Sequence, residues 1–202
     1  MAVLVCIPTY ENIMPETFKS VYGLKEPEGQ GRPLFDYVKG YGCAQARNKC
    51  AKEALEYKDK YNIKYLMFVD SDVILPEDAL VHMAEGDADV VLGIYPRKNT
   101  TTGQTEIFLP AERDFTDKNN LNLANVPDEP RIAIKGGGMG CALIRVDLFE
   151  RMEYPYFKYV EYESGATLSE DNYFCWMAGK IGAKIECDTR VRCWHRSTQW
   201  IR

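Results

Sequence analysis

A chain of 202 residues, 46% hydrophobic and 27% charged, has enough apolar material for one buried core, which excludes a disordered, fibrous or coiled-coil protein. A net charge of −5 excludes a broad phosphate-gripping surface, so nucleic acid is not an expected partner; a cleft holding one metal ion and a few basic residues still suits a nucleotide. The seven cysteines, an odd number scattered along the chain, read as reduced thiols in a cytoplasmic protein, with neither a basic leader nor a transmembrane run.

Residues 2–7 (AVLVCI) are a continuous, β-branched apolar run stopped by Pro8-Thr9, which predicts a buried parallel strand with a loop at its carboxyl end. Residues 14–24 follow as a helix, with Pro15 in its first turn and Gly23 near its stop. The Gly- and Pro-rich stretch 25–32 is a loop, and 33–39 (PLFDYVK) a candidate strand. From Ala44 the apolar spacing becomes helical as far as residue 57, and 65–69 (YLMFV) is another buried strand. That strand ends directly in Asp70-Ser71-Asp72.

Residues 76–84 predict a helix entered through Pro and acids, 89–95 (DVVLGIY) a strand, and 100–130 a hairpin or irregular excursion. Gly136-Gly137-Gly138-Met139-Gly140 leads into a strand at 141–144, a short helix at 147–152 and an aromatic loop at 154–162. Ser169 reads as the N-cap of a helix reaching about residue 179, with Glu170 and Asp171 in its first turn. Two strands, 184–187 and 191–194, complete the pattern, which is that of a single α/β domain with a mostly parallel sheet flanked by helices.

Ligands of open α/β sheets bind at the carboxyl ends of strands, so the position of Asp70-Ser71-Asp72 is informative beyond its composition. Two carboxylates at alternate positions offer hard oxygen ligands for Mg2+ or Mn2+, which can bridge them to a diphosphate. Arg47-Asn48, entering a helix after Gly42, can aim an arginine at phosphate and an asparagine at a base or ribose. The glycines of 136–140 permit close backbone approach and positive φ, but no Gly-Lys-Ser/Thr follows them, so this is no Walker loop. Trp194-His195-Arg196 supplies a late histidine.

In this order the motifs resemble the GT-A glycosyltransferases, close to family 2, over about residues 3–195. The resemblance implies a metal-dependent hexosyltransferase of glycan biosynthesis that moves a sugar from a nucleoside diphosphate sugar, with UDP the commonest choice, to an acceptor hydroxyl on a glycan, lipid or protein. It implies a nucleotide-binding half over 1–95 and an acceptor half over 96–202. Pro8, Thr9, Tyr10, Arg47, Asn48, Asp70, Ser71 and Gly138 would line the donor site, while Asp72, Asp70 and His195 would hold the metal. Asp171 would be the general base of an inverting reaction, with Glu170 beside it. Alternatives are a retaining enzyme of the same fold and a sugar nucleotidyltransferase, although the latter wants a glycine-rich basic signature that Pro8-Thr9-Tyr10-Glu11-Asn12 lacks. A zinc module on Cys187, Cys193 and His195 lacks paired Cys-x2-Cys spacing.

Overall fold

A computed structural model describes residues 2–29, 31–98, 103–110, 115, 117–196 and 200–201. The first part of the chain makes β1 (Ala2–Thr9), α1 (Pro15–Tyr22), β2 (Leu34–Lys39), α2 (Cys43–Tyr61), β3 (Ile63–Val69), β4 (Val73–Ile74), α3 (Ala79–Met83) and β5 (Val90–Ile94). Next come β6 (Gln104–Phe108), β7 (Asn120–Asn122), β8 (Arg131–Ala133), β9 (Gly136–Gly137), β10 (Cys141–Arg145) and α4 (Val146–Arg151). The remainder is β11 (Val160–Glu161), β12 (Thr167–Leu168), α5 (Glu170–Lys180), β13 (Ile185–Arg192), β14 (Trp194–Arg196) and β15 (Trp200–Ile201).

Seven strands form the central sheet in the order β2-β1-β3-β10-β5-β13-β8. The pairs β1–β2, β1–β3 and β5–β13 are parallel, whereas β10 runs antiparallel to both β3 and β5, and β8 antiparallel to β13. The mostly parallel sheet expected from the sequence is therefore corrected to a mixed one. A continuous apolar run reports cover on both faces of a strand, and a helix-covered antiparallel strand such as β10 needs the same run.

Side chains alternate across this sheet and build two cores. Val3, Val5 and Ile7 of β1, Met67 and Val69 of β3 and Leu143 of β10 pack with Leu80 and Met83 of α3 on one face. Leu4 and Cys6, Leu66 and Phe68, and Ala142 and Ile144 pack on the other with Ala46, Cys50 and Ala54 of α2, Phe149 of α4 and Phe174 of α5. Phe68 is fully buried, which is worth about 1.5–3 kcal/mol for a side chain of its size.

Several boundaries differ from expectation for identifiable reasons. β1 continues through Pro8 and Thr9 alongside Val38 and Lys39, at a level where its pairing with β3 has already ended. Helix α2 continues to Tyr61 and stops where Asn62 adopts a left-handed φ of 51° and donates its N–H to the Lys58 carbonyl. β13 is one strand where two were expected. Its polar interruption is satisfied internally, because buried Asp188 pairs with Arg131 at 2.9 Å and Arg190 at 2.7 Å. Cys6 and Cys50 form a disulfide between β1 and α2, with Cα atoms 6.3 Å apart, which corrects the expectation that every thiol is reduced.

The expected 100–130 excursion contains β6 and β7, which pair antiparallel, and β9 joins β6 on its other side. Residues 100–102, 111–114 and 116 of that expectation lie outside the described residues. β11 and β12 form a hairpin within and beyond the aromatic loop. Among the described residues no helix is long and apolar enough to cross a membrane.

Candidate active site

The carboxyl ends of β3 and β5 and the start of antiparallel β10 meet at one rim of the sheet, where the Asp70 N–H donates to the Gly140 carbonyl at 3.0 Å. A cleft of about 460 Å³, within the span typical of small-molecule sites, opens here. It is lined by Asp70, Tyr95, Arg97, Lys98, Glu106, Asp171 and His195.

Beneath the cleft lies Arg47, whose side chain is only 3% exposed. Its Nε donates to Asp171 Oδ1 and its Nη2 to Asp70 Oδ1, each at 3.0 Å, and Glu170 Oε1 lies 3.8 Å from Nε. One guanidinium thus faces three carboxylates. Burial alone would discourage the Arg47 charge, but Asp171, Asp70 and Glu170 outweigh it and hold the group firmly protonated.

Asp171 sits in the first turn of α5, entered through Ser169, whose hydroxyl accepts from the Asn172 N–H at 3.4 Å as the N-cap expectation requires. Its second oxygen accepts from the Met139 N–H at 3.1 Å, which ties α5 to the glycine turn. Burial pushes the Asp171 carboxyl up, Arg47 opposes this, and the charges of Glu170 and Asp70 add to it, leaving the group at about 7. Glu170 is 6% exposed and bonds the Tyr159 hydroxyl, so it stands behind Asp171 rather than in the cleft lining.

His195 reaches the site through β14, where it pairs with Val73 of β4, the residue next to Asp72. Its Nδ1 is 2.8 Å from the Pro96 carbonyl, an oxygen that can only accept, so Nδ1 carries the proton there. Nε2 then faces Asp72 Oδ1 at 3.5 Å. A neutral imidazole and a carboxylate that meet through lone pairs need a cation between them or a second proton on the ring. A ring whose other nitrogen is fixed by a backbone carbonyl is the usual form of a metal-ligating histidine. Asp72 and His195 therefore fit a divalent ion that accepts oxygen and imidazole donors. Burial raises the Asp72 carboxyl, but the facing side chains of His195 and Lys98 outweigh it and bring the group down to about 2.

The expected third ligand is placed differently: Asp70 is turned toward Arg47. Among the described residues no three His, Cys, Asp or Glu side chains converge as a ready-made metal set. Asn48 is also redirected. Its Nδ2 donates to the carbonyls of Ala44 and Phe157 at 2.8 and 2.7 Å, and its Oδ1 accepts from the N–H groups of Tyr156 and Phe157 at 2.9 and 3.2 Å. With all four positions engaged, Asn48 clamps the aromatic loop to α2 and has none left for a nucleotide.

Pro8 and Thr9 belong to β1, where the Thr9 hydroxyl donates to the Asn12 carbonyl at 2.9 Å, and Tyr10 is 71% exposed just beyond. Ser71 contributes its carbonyl to the Met14 N–H at 2.9 Å. None of these four lines the cleft. The glycine turn serves close approach without positive φ: a Cβ on Gly138 would lie 2.1 Å from Tyr95 Oη, and one on Gly140 would lie 2.9 Å from Asp70 Oδ2. The Gly140 N–H donates to the Tyr95 hydroxyl at 3.0 Å. Gly138→Ala is expected to lower the unfolding free energy by about 1–3 kcal/mol through overpacking against buried Tyr95, measured by urea titration.

Sequence reasoning missed Tyr95, Arg97, Lys98 and Glu106. The signal was present for two of them, because Arg97-Lys98 follows the end of β5 as Asp70 follows β3, and the strand-end rule applies equally to both. Arg97 Nε pairs with Glu106 at 3.0 Å, a contact between the β5 exit and β6 that only the tertiary fold creates.

Fold and cleft together define a mixed α/β protein whose strand ends carry an acidic site backed by one buried arginine. No family model matches the chain, and no curated protein matches it. Solved structures do share its fold. The crystal structure of A197 from STIV aligns at a TM-score of 0.66 and 20% identity, over 97% of this chain and 86% of that one. The crystal structure of GalNAc-T7 with UDP, GalNAc and Mn2+ aligns at a TM-score of 0.60 and 9% identity, over 96% of this chain and 43% of that one. At these identities the likeness is one of fold.

Proposed function

We propose that this chain is a GT-A glycosyltransferase that moves a sugar from a nucleoside diphosphate sugar, with UDP as carrier, to an acceptor hydroxyl with inversion. The observation that carries this reading is one cleft lined by a buried carboxylate raised to about 7, Asp171, and by His195, whose Nε2 faces Asp72 at 3.5 Å. The fold shared with a structure holding UDP, GalNAc and Mn2+ supports it.

Asp171 takes the proton of the acceptor hydroxyl as that oxygen bonds the anomeric carbon; the carbon–oxygen bond to the diphosphate breaks, and its electron pair leaves with UDP. A base near 7 is matched to this task at neutral pH. Arg47 keeps Asp70 and Asp171 oriented, and Arg97 and Lys98 bring positive charge to the wall of the cleft. Asp72 and His195 would hold Mn2+ or Mg2+, which when bound neutralises charge on the departing diphosphate. The aromatic side chains Tyr154, Tyr159 and Tyr162, each about half exposed, offer faces for an acceptor sugar.

Calorimetric titration with UDP in the presence and absence of Mn2+ tests the donor half. Binding is expected to need Mn2+, and Asp72→Ala to weaken it at least about tenfold, the loss of one charge-assisted contact. UDP binding that ignores both Mn2+ and this substitution would overturn the donor assignment. Pyrophosphate release from UTP and a sugar phosphate would instead make the chain a nucleotidyltransferase.

A further inference from the structure

Two positive side chains that neighbour the acids of this site differ in freedom. Arg47 is enclosed, with its side chain 3% exposed, whereas that of Lys98 is 47% exposed. Lys98 Nζ nevertheless sits 2.5 Å from Asp72 Oδ2, while the other oxygen of the same carboxylate faces His195 Nε2 at 3.5 Å. The ammonium thus holds the carboxylate whose pairing with His195 suits a divalent ion.

We propose that Lys98 is a tethered counter-ion of Asp72, which competes with the divalent cation for that carboxylate and, once displaced, turns its ammonium to the diphosphate of the donor. The inference rests on the donor-and-cation reading of this cleft. Two cations on one carboxylate repel, so Lys98 must leave Asp72 when the site is filled. A long, exposed side chain can make that move at little cost, unlike the buried guanidinium of Arg47. The displaced ammonium stays in a cleft it already lines beside Arg97, and a diphosphate is the new anion there. Metal and donor binding become coupled: the ion releases the lysine, and the nucleotide gives it a partner.

Titration of Mn2+ followed by the electron paramagnetic resonance of the free ion reads this without turnover. Lacking nucleotide, Lys98→Met is expected to bind Mn2+ about 5- to 10-fold more tightly than wild type, at the low end of typical site-to-site coupling. At saturating Mn2+ the same variant is expected to bind UDP about 5- to 10-fold more weakly. Lys98→Arg, which keeps the charge, is expected to stay near wild type in both. Equal Mn2+ affinity in Lys98→Met and wild type, with Asp72→Ala clearly weaker, would overturn the competition alone. Tighter Mn2+ without weaker UDP would overturn the hand-over to the donor. Mn2+ binding that is the same in wild type and Asp72→Ala would overturn the underlying cation reading instead.

Discussion

Replacing Asp171 by asparagine is expected to lower sugar transfer by roughly 10²–10⁴-fold, the contribution of a positioned general base. Asparagine keeps the size of the side chain and one acceptor oxygen for Arg47 or Met139, yet cannot take the acceptor proton. Binding of UDP with Mn2+ should survive, so the loss falls on kcat and not on donor affinity. The pH profile supplies the sign. With the Asp171 carboxyl pushed up to about 7, chiefly by burial, most molecules hold it protonated at pH 6 and most ionised at pH 8. Transfer should therefore climb as pH rises through about 7, and this limb should vanish in the variant. An unchanged rate in Asp171→Asn would remove the base from the mechanism.

Arg47→Met should cost about 3–5 kcal/mol of unfolding free energy, the penalty for removing one partner of a buried ionic group. The variant leaves Asp70, Glu170 and Asp171 facing one another without their shared cation. Their carboxyls would then be protonated in the folded state at pH values where the unfolded chain has lost those protons. A group with a raised folded pKa binds more protons folded than unfolded, so stability falls as pH rises through that window. The deficit measured by urea titration should consequently be larger at pH 8 than at pH 5. A pH-independent deficit would show that the seat of the Arg47 guanidinium over the Phe68 ring, 5.5 Å from its centroid, and not its pairing with the three acids, is what the variant loses. Wild type carries a smaller version of the same slope through Asp171, between its ordinary 3.8 and about 7.

The sequence revealed most where burial and strand ends coincide. Residues 65–69 and 89–95 announce β3 and β5 because both faces are covered, and Asp70 and Asp72 announce a site because they follow such a strand. Ser169 was legible as a cap because capping is local chemistry. Strand direction was not, since β10 needs apolar side chains whichever way it runs. Asn48 misled because an interior helical asparagine has a free-standing appearance in sequence, while its four partners lie in its own preceding turn and in a loop more than a hundred residues away. The Cys6–Cys50 pairing depends on how β1 packs on α2, which parity of the cysteine count does not encode. Arg97 and Lys98 were passed over because their acidic partners, Glu106 and Asp72, are brought to them by the β5–β6 connection and the β3 exit.

β10 separates β3 from β5, so the strand ends bearing Asp70 and Tyr95 are held in place by a segment that arrives some seventy residues after the first acid. Asp171 and His195 come later still. The cleft draws Asp70, Tyr95, Arg97, Lys98 and Glu106 from before residue 140, and Asp171 and His195 from beyond it. The glycine turn that precedes β10 thus works as a keystone between the two strand ends: the Gly140 N–H reaches the Tyr95 hydroxyl while the Gly140 carbonyl holds the Asp70 N–H.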